Sequence, residues 1–331
     1  AIDGLQAVKC DFHLHTVFSD GEVWPVTRVE EAWTDGLDAI AITDHDRYKP
    51  HRDYLKADNA TPFEIAKETA AERGILLIPG LEITRKMPPG HFNSLFLTDG
   101  NLPELEDTAR SAFLVAVEKL AAQGALLVWN HPGWAAQQKD TVKWFEIHQA
   151  LLEKGWLHGI EVFNYAEWYP IALQWAVDKN LSPLANSDMH AAIRAGYGMD
   201  RDFVRPMTLV FARDKSAGAV REAMLARRTV AWFNGMLAGS GAILAKLFSE
   251  TVQVSKTGTV KGKAVWSLAN ATDLPVELEG ISDAWRGKLT IPARSAVTLK
   301  TPETTSSVRV KVTNWRTGMR DCLEAELRPA D

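Results

Sequence analysis

Cysteine is nearly absent from this chain. There are two, Cys10 and Cys322, near opposite ends, and neither sits in a Cys-x-x-Cys pair. That excludes a disulfide framework and a cysteine-rich metal site, and leaves two buried thiols as the expectation. Long apolar runs are also missing. A membrane-spanning helix needs about twenty apolar residues, and the best stretch, 112–129, is broken by Glu118, Lys119 and Gln123. No membrane span is expected. Nor is there a large excess of one charge: 37 Lys and Arg against 42 Asp and Glu leave a net charge of −5. Such a surface does not attract a long polyanion, so long nucleic acids are not expected partners. Internal repeats and low-complexity tracts are absent too. With 46% hydrophobic and 24% charged residues, the composition is that of a globular protein rather than a disordered or fibrous one. At 331 residues, the chain is long for one ordinary domain and can bury a core without covalent staples. It begins with Ala1. A mature periplasmic or secreted form is the expectation, with a cytoplasmic location left open.

Up to about residue 235, short apolar runs alternate with amphipathic stretches. The runs include 37–43, 75–79, 93–97, 125–130, 160–164, 182–185, 207–211 and 229–233. Helical patterns lie between them at 64–73, 104–123, 141–154 and 170–179. Buried strands alternating with helices indicate a mainly parallel α/β sheet or barrel. Gly74, Gly124 and Gly155 follow three of the helical stretches, where a left-handed cap is wanted. After about residue 248 helical periodicity stops and Thr, Val, Ser and Lys alternate, which reads as a small all-β, sandwich-like module. The expected division is 1–247 and 248–331.

Polar clusters stand at the ends of the apolar runs. In Asp11-Phe12-His13-Leu14-His15, residues two apart share a face of an extended chain, so two imidazoles can clamp a divalent metal. Asp20 follows on the loop Ser19-Asp20-Gly21. Thr43-Asp44-His45-Asp46, Gly80-Leu81-Glu82 with His91 beyond, Asn130-His131-Pro132 and Ser187-Asp188-Met189-His190 repeat the pattern. The C-terminal ends of buried strands are where α/β proteins place their active sites. Recurrence at successive strand ends points to a multinuclear metal site, and a His and carboxylate donor set without Cys favours Zn, Mn or Fe.

The ordered set Asp-x-His-x-His, Ser-Asp-Gly, Thr-Asp-His, Gly-x-Glu, Asn-His-Pro and Ser-Asp-x-His resembles the PHP (polymerase and histidinol phosphatase) superfamily over roughly residues 7–235. The stretches 10–21 and 43–51 look more narrowly like bacterial PHP phosphodiesterases. The resemblance implies a distorted (βα)7 TIM-like barrel holding two to three divalent ions. It implies one metal on His13, His15, Glu82 and Asp188, with Glu82 bridging to a second on His91 and His131. A third would lie between Asp20, His45 and His190. Many family members carry His where this chain has Asp20.

The implied activity is hydrolysis of small organic phosphodiesters, in which a water bridging the metals loses its proton and attacks phosphorus. Asp188 and His190 are the candidates for proton transfer. A phosphomonoesterase, or hydrolysis of a C–N or carboxylic ester bond at the same metals, stays open because fold and metal do not fix the reaction. A non-catalytic surface protein that binds through its β module is the remaining class, and the complete donor set argues against it. Arg85, Arg194 and His51 are the candidate substrate contacts, chosen from the cations that follow the motif ends. Asp44 and Asp46 are expected to support the donors. His148 and His158 are expected to be structural, and Trp134, Trp168 and Trp175 are candidates to line a pocket, with aromatic packing as their default role.

Overall fold

The computed structural model describes residues 2–139, 142–197 and 204–329. The chain divides into two units, Gly4–Asn234 and one that begins at Gly235 and takes in Ile2 and Asp3.

In the first unit the elements run β1 (Gln6–Asp11), α1 (Pro25–Thr34), β2 (Ala39–Ile42), α2 (Thr61–Arg73), β3 (Leu76–Ile83), β4 (Phe92–Leu95), α3 (Arg110–Ala122), β5 (Leu126–Trp129), α4 (Glu146–Glu153), β6 (Leu157–Asn164), β7 (Glu167–Trp168), α5 (Pro170–Asp178), β8 (Ser182–Asn186), α6 (Ile193–Gly196), β9 (Met207–Ala212), α7 (Ala217–Leu225) and β10 (Thr229–Phe233). Local chemistry sets several helix ends. α1, α2 and α5 carry Pro in their first turn, where no backbone N–H is needed. α7 starts at Ser216, whose hydroxyl accepts from Ala219 N. α2 stops at Gly74, at φ 67. The helical stretch expected over 104–123 is a 3-10 turn at Pro103–Glu106 followed by α3. Of the stretch expected from Thr141, Thr141 itself lies outside the described residues, and α4 occupies 146–153.

The strand order is β10-β9-β1-β2-β3-β4-β5-β6, with β7 and β8 both pairing β6. Alternate residues of the strands meet in one core: Val8, Cys10 and Phe12 join Ala39, Ala41, Ile78, Val128, Leu184 and Val210, and the apolar face of α7 packs on them. Two corrections to the expected barrel follow. The sheet is mixed, because β1/β9, β9/β10, β3/β4 and β4/β5 are antiparallel. It is also not closed by a ladder between β8 and β9 among the described residues. There the Thr208 hydroxyl stands in for ladder bonds, accepting from Ala185 N and donating to Ala185 O, each at 2.9 Å.

The second unit holds β11 (Met236–Gly239), α8 (Gly241–Thr251), β12 (Val252–Val260), β13 (Lys263–Asn270), β14 (Val276–Gly280), β15 (Lys288–Ile291), β16 (Ala296–Pro302), β17 (Val308–Arg316) and β18 (Cys322–Leu327). β12-β13-β16 form one antiparallel sheet; β15-β14-β17, with β18 and β11 also on β17, belong to a second. Alternation along β13 and the first half of β17 buries Trp266, Leu268, Val310 and Val312 while their neighbours are more exposed. The division falls before the expected residue 247 because α8 belongs here. Its Phe248 meets Trp315 of β17 edge-on at 5.8 Å. Cys10 and Cys322 are both free; Cys10 is buried and Cys322 half-buried.

Candidate metal centre

His13 and His15 follow β1, whose ladder stops at Asp11. The chain beyond stays extended because it is tied on both sides. Thr43 N donates to Leu14 O at 2.8 Å, Asp188 N to His13 O at 2.9 Å, and His15 N to Met189 O at 3.1 Å. These bonds bring the ends of β1, β2 and β8 side by side. The Asp11 carboxylate takes a different course from the histidines. It accepts from Ser187 N and Oγ at 3.1 and 2.5 Å and from Arg205 Nη2 at 2.7 Å, and so anchors the Asp188 segment from behind.

Ahead of it the donor atoms converge. His13 Nε2 lies 3.1 Å from His15 Nε2, 3.1 Å from Asp188 Oδ1 and 3.3 Å from Glu82 Oε1, and His15 Nε2 is also 3.1 Å from Asp188 Oδ1. Glu82 Oε1 is 3.2 Å from His91 Nδ1 and 3.5 Å from His131 Nε2. Asp20 Oδ1 is 3.2 Å from His190 Nε2 and 3.3 Å from His45 Nε2. Three overlapping groups result: His13, His15 and Asp188; His13, Glu82 and His131; and His15, Asp20, His45 and His190. His15 therefore adjoins the third group as well as the first, beyond its expected single role.

Ligands about 2.0–2.2 Å from a shared ion, at tetrahedral or octahedral angles, stand roughly 2.9–3.5 Å apart. The observed spacings fall in that range. Glu82 Oε2 is buried and makes no well-formed hydrogen bond, although His45 Nδ1 is 2.6 Å away. Asp20 Oδ1 is in the same condition. Buried polar atoms need partners, and atoms that crowd without bonding one another are arranged around a common point. The donor set fits divalent cations.

Electrostatics say the same. Burial alone would depress His13, but the carboxylates of Asp188, Glu161 and Glu82 reverse this and raise it well above its ordinary value. His45 is pushed up to about 10, against burial, by Glu82 and Asp20. His131 and His190 rise for like reasons. His15 falls instead, to about 3, through burial and the neighbouring His45 and His190. Glu82 and Asp188 are held below the carboxylate range against burial, by His91, His45 and His13 for the former and His13 and His15 for the latter. Crowded carboxylates demand positive charge, and protons on imidazole supply it where cations would.

Two residues that the sequence did not single out hold this arrangement. Glu161 on β6 is fully buried. Its Oε1 pairs with His13 Nδ1 at 2.8 Å and accepts from Asn186 Nδ2 at 2.9 Å; its Oε2 accepts from His131 N at 2.7 Å and Asn164 Nδ2 at 2.8 Å. A carboxylate on the far nitrogen fixes the tautomer of a metal-binding His. Arg28 on α1 is also fully buried. It donates to the backbone carbonyls of His15, Met189, His190 and Ala191 at 2.7–2.9 Å and pairs with Glu31. Glu31 Oε1 in turn accepts from Ile193 N. The signal for Glu161 was its place in an apolar strand ending among the motifs; Arg28 reads in the sequence as an ordinary helix-surface charge.

Asp44 accepts from Thr16 N and Oγ1 and from Ser19 Oγ at 2.6–2.7 Å, and so shapes the loop that carries Asp20. Asp188 and His131 adopt φ 50 and 26. Such left-handed backbone costs about 1–3 kcal/mol at non-glycine residues and collects at functional sites. The Asp188–His13 and His131–Glu161 backbone contacts oppose that cost.

Asp20, His45, Glu82, His91, His131, Asp188 and His190 line a cavity of about 460 Å³ whose other walls include Trp134, Asn164, Tyr165, Glu167, Met189 and Gly196. Trp134, 41% exposed, stands 5.3 Å from the His131 ring. Trp168 and Trp175 instead stack on Phe163 and Trp129. The candidate substrate contacts lie elsewhere. Arg85 is buried, with its guanidinium on Asp46 at 2.7 Å and on the carbonyls of Thr84 and Leu105. Arg194 and His51 are exposed, and neither lines this cavity. His148 is buried against Trp129 and bonded to Pro89 O, and His158 accepts from Leu127 N.

Residues 11–152 match the PHP domain family. The chain is similar over 99% of its length to a crystal structure from Bacteroides vulgatus, of a two-domain protein containing a predicted PHP-like metal-dependent phosphoesterase. The two share 38% identity and a TM-score of 0.92, with 96% of that chain covered. It is also 37% identical over 82 residues to an uncharacterised protein of Methanocaldococcus jannaschii, a match spanning 25% of this chain and 36% of that one. With the donor groups in place and the likeness running through both units, the chain belongs to the PHP-like metal-dependent phosphoesterase family.

Proposed function

We propose that the protein hydrolyses small organic phosphodiesters. His13, His15, Glu82 and Asp188 would hold one metal, Glu82, His91 and His131 a second, and Asp20, His45 and His190 a third. Bound divalent cations supply charge that polarises a phosphoryl oxygen and acidifies water. The remaining work falls to the chain. Trp134, Tyr165 and Met189 offer apolar surface to the organic groups of a diester. His190, the most exposed imidazole of the cluster, stands at the rim with its Nδ1 2.9 Å from Asp188 O; it can carry a proton to the leaving oxygen only while the third metal does not hold its Nε2.

The observation that favours a diester is charge. The cavity contains three carboxylates at the donors, including Asp20, and among the described lining residues no Lys or Arg. A monoester near neutral pH carries close to two negative charges and a diester one, so a site poor in fixed cations suits the latter. The test is a panel of p-nitrophenyl mono- and diesters with matching amides as controls. Higher kcat/KM is expected for the aryl diesters, and Asp20→His is expected to move the ratio toward monoesters. A native preference for monoesters of tenfold or more, about 1.4 kcal/mol in transition-state binding, overturns the diester assignment.

A further inference from the structure

A second cavity, of about 780 Å³, shares His91 with the donor cavity. Its walls come from the loop between β3 and β4, the start of α3 and the loop after β5. Their chemistry is mixed but one-signed. Met87, Pro88, Pro89 and Phe113 give an apolar lining, Lys86 and Arg110 are exposed cations, and no described lining residue is acidic. Arg85 also contributes, but its charge is matched by Asp46.

Two buried polar atoms of this lining lack hydrogen-bond partners: Arg85 Nε and Gln137 Oε1. Arg85 is 6% exposed, and its terminal nitrogens are already engaged, so Nε–H is a donor left over. A buried donor with no partner is destabilising, and a ligand that accepts from it removes that penalty. A leftover guanidinium donor, two exposed cations with no acidic neighbour in the lining and an apolar wall describe a pocket for an anionic group on a carbon spacer, with Gln137 Oε1 left to accept from a donor on the same ligand. It does not describe a second hydrolytic centre, since of the metal-type donors only His91 reaches it.

We propose that this cavity is an anion subsite, holding a carboxylate or phosphate carried on the substrate's organic group, away from the ester that is cleaved. The proposal rests on the phosphoesterase reading and narrows its substrate class to phosphate esters with a second, remote negative charge.

Calorimetric titration of the metal-loaded full chain with phosphonates tests it. One series carries a terminal carboxylate on methylene spacers of increasing length, and a matched series ends in the neutral amide. At one spacer length the carboxylate should bind at least about tenfold more tightly than its amide. The exposed pair Lys86→Ala and Arg110→Ala should abolish that advantage while leaving plain alkyl phosphonate binding unchanged, and Arg110→Glu should invert it. Equal binding of carboxylate and amide at every length, or an advantage that survives in the double variant, overturns the subsite alone. If no phosphonate of either series binds a protein that holds its metals, the phosphoesterase reading fails and the subsite with it.

Discussion

Glu161 commits both carboxylate oxygens, one to His13 Nδ1 and Asn186 Nδ2 and the other to His131 N and Asn164 Nδ2. Its replacement by Gln keeps the shape but puts an N–H where His13 Nδ1–H or the His131 amide must donate. Metal affinity is expected to fall about 10–100-fold, read by calorimetry; unchanged affinity would contradict the role given to Glu161. His13→Ala, Glu82→Ala and Asp188→Ala remove atoms that converge from three different strand ends. Each is expected to lower bound metal, abolish hydrolysis and reduce thermal stability in proportion to the metal lost. Normal metal content with full activity in any one of them removes that residue from the set. Gly21 shows how tight the third group is. A Cβ there would lie 2.6 Å from His15 C and from Thr16 N, so Gly21→Ala must displace the turn that carries Asp20. The expected result is one metal fewer per chain by elemental analysis, and a full complement would show that Asp20 is dispensable.

At the scale of elements, α1 is more than a crossover helix, because Arg28 ties it to the segments carrying His15 and His190. Arg28→Lys keeps the charge and loses the planar fork, leaving buried carbonyls short of donors. A loss of about 2–4 kcal/mol in urea unfolding is expected, together with weaker metal binding. A change in stability with no change in metal affinity would make Arg28 a packing residue only. α4 brings a pH dependence. Burial beneath Trp129 pushes His148 down to about 4, with the bond to Pro89 O opposing. The unfolded residue titrates near 6.5. The native state therefore binds fewer protons than the unfolded one, and the stability of the neutral imidazole is present above the unfolded value and lost as pH falls. Between pH 7 and 5 the loss from this residue is about 2 kcal/mol. His148→Phe should show a shallower decline over that range in denaturant titrations, and an equal slope would contradict the assignment.

For the molecule as a whole, much of the centre was legible because its donors stand in short motifs at the ends of apolar runs, where two-residue spacing forces a shared face. His13 with His15 is such a pair, and the structure places both in one group, whereas Asp188 and His190 fall in two different groups that share His15. Asp11 shows the limit of that rule, since spacing gives a face but not the partner waiting there, and Ser187 and Arg205 claim its carboxylate. Glu161 and Arg28 were not legible for the same reason: their roles depend on neighbours distant in sequence. The closure of the sheet failed at β8 and β9, where a threonine side chain replaces a ladder and leaves no periodic trace. The boundary slipped because the periodicity of α8 looks the same on either side of a division. Among the described residues, all the candidate metal donors lie within Gly4–Asn234. A chain ending at Asn234, if it folds, is expected to keep the full metal complement, and a folded but metal-free product would show that the second unit completes the site. The most direct test of the central claim is hydrolysis of bis(p-nitrophenyl) phosphate by chelator-stripped protein, followed by stepwise return of Zn, Mn or Fe. Activity should be negligible when stripped and should rise with bound metal until the donor groups are filled. Undiminished hydrolysis by the metal-free protein, or a fully metal-loaded protein that cleaves amides and no phosphate ester, would contradict it.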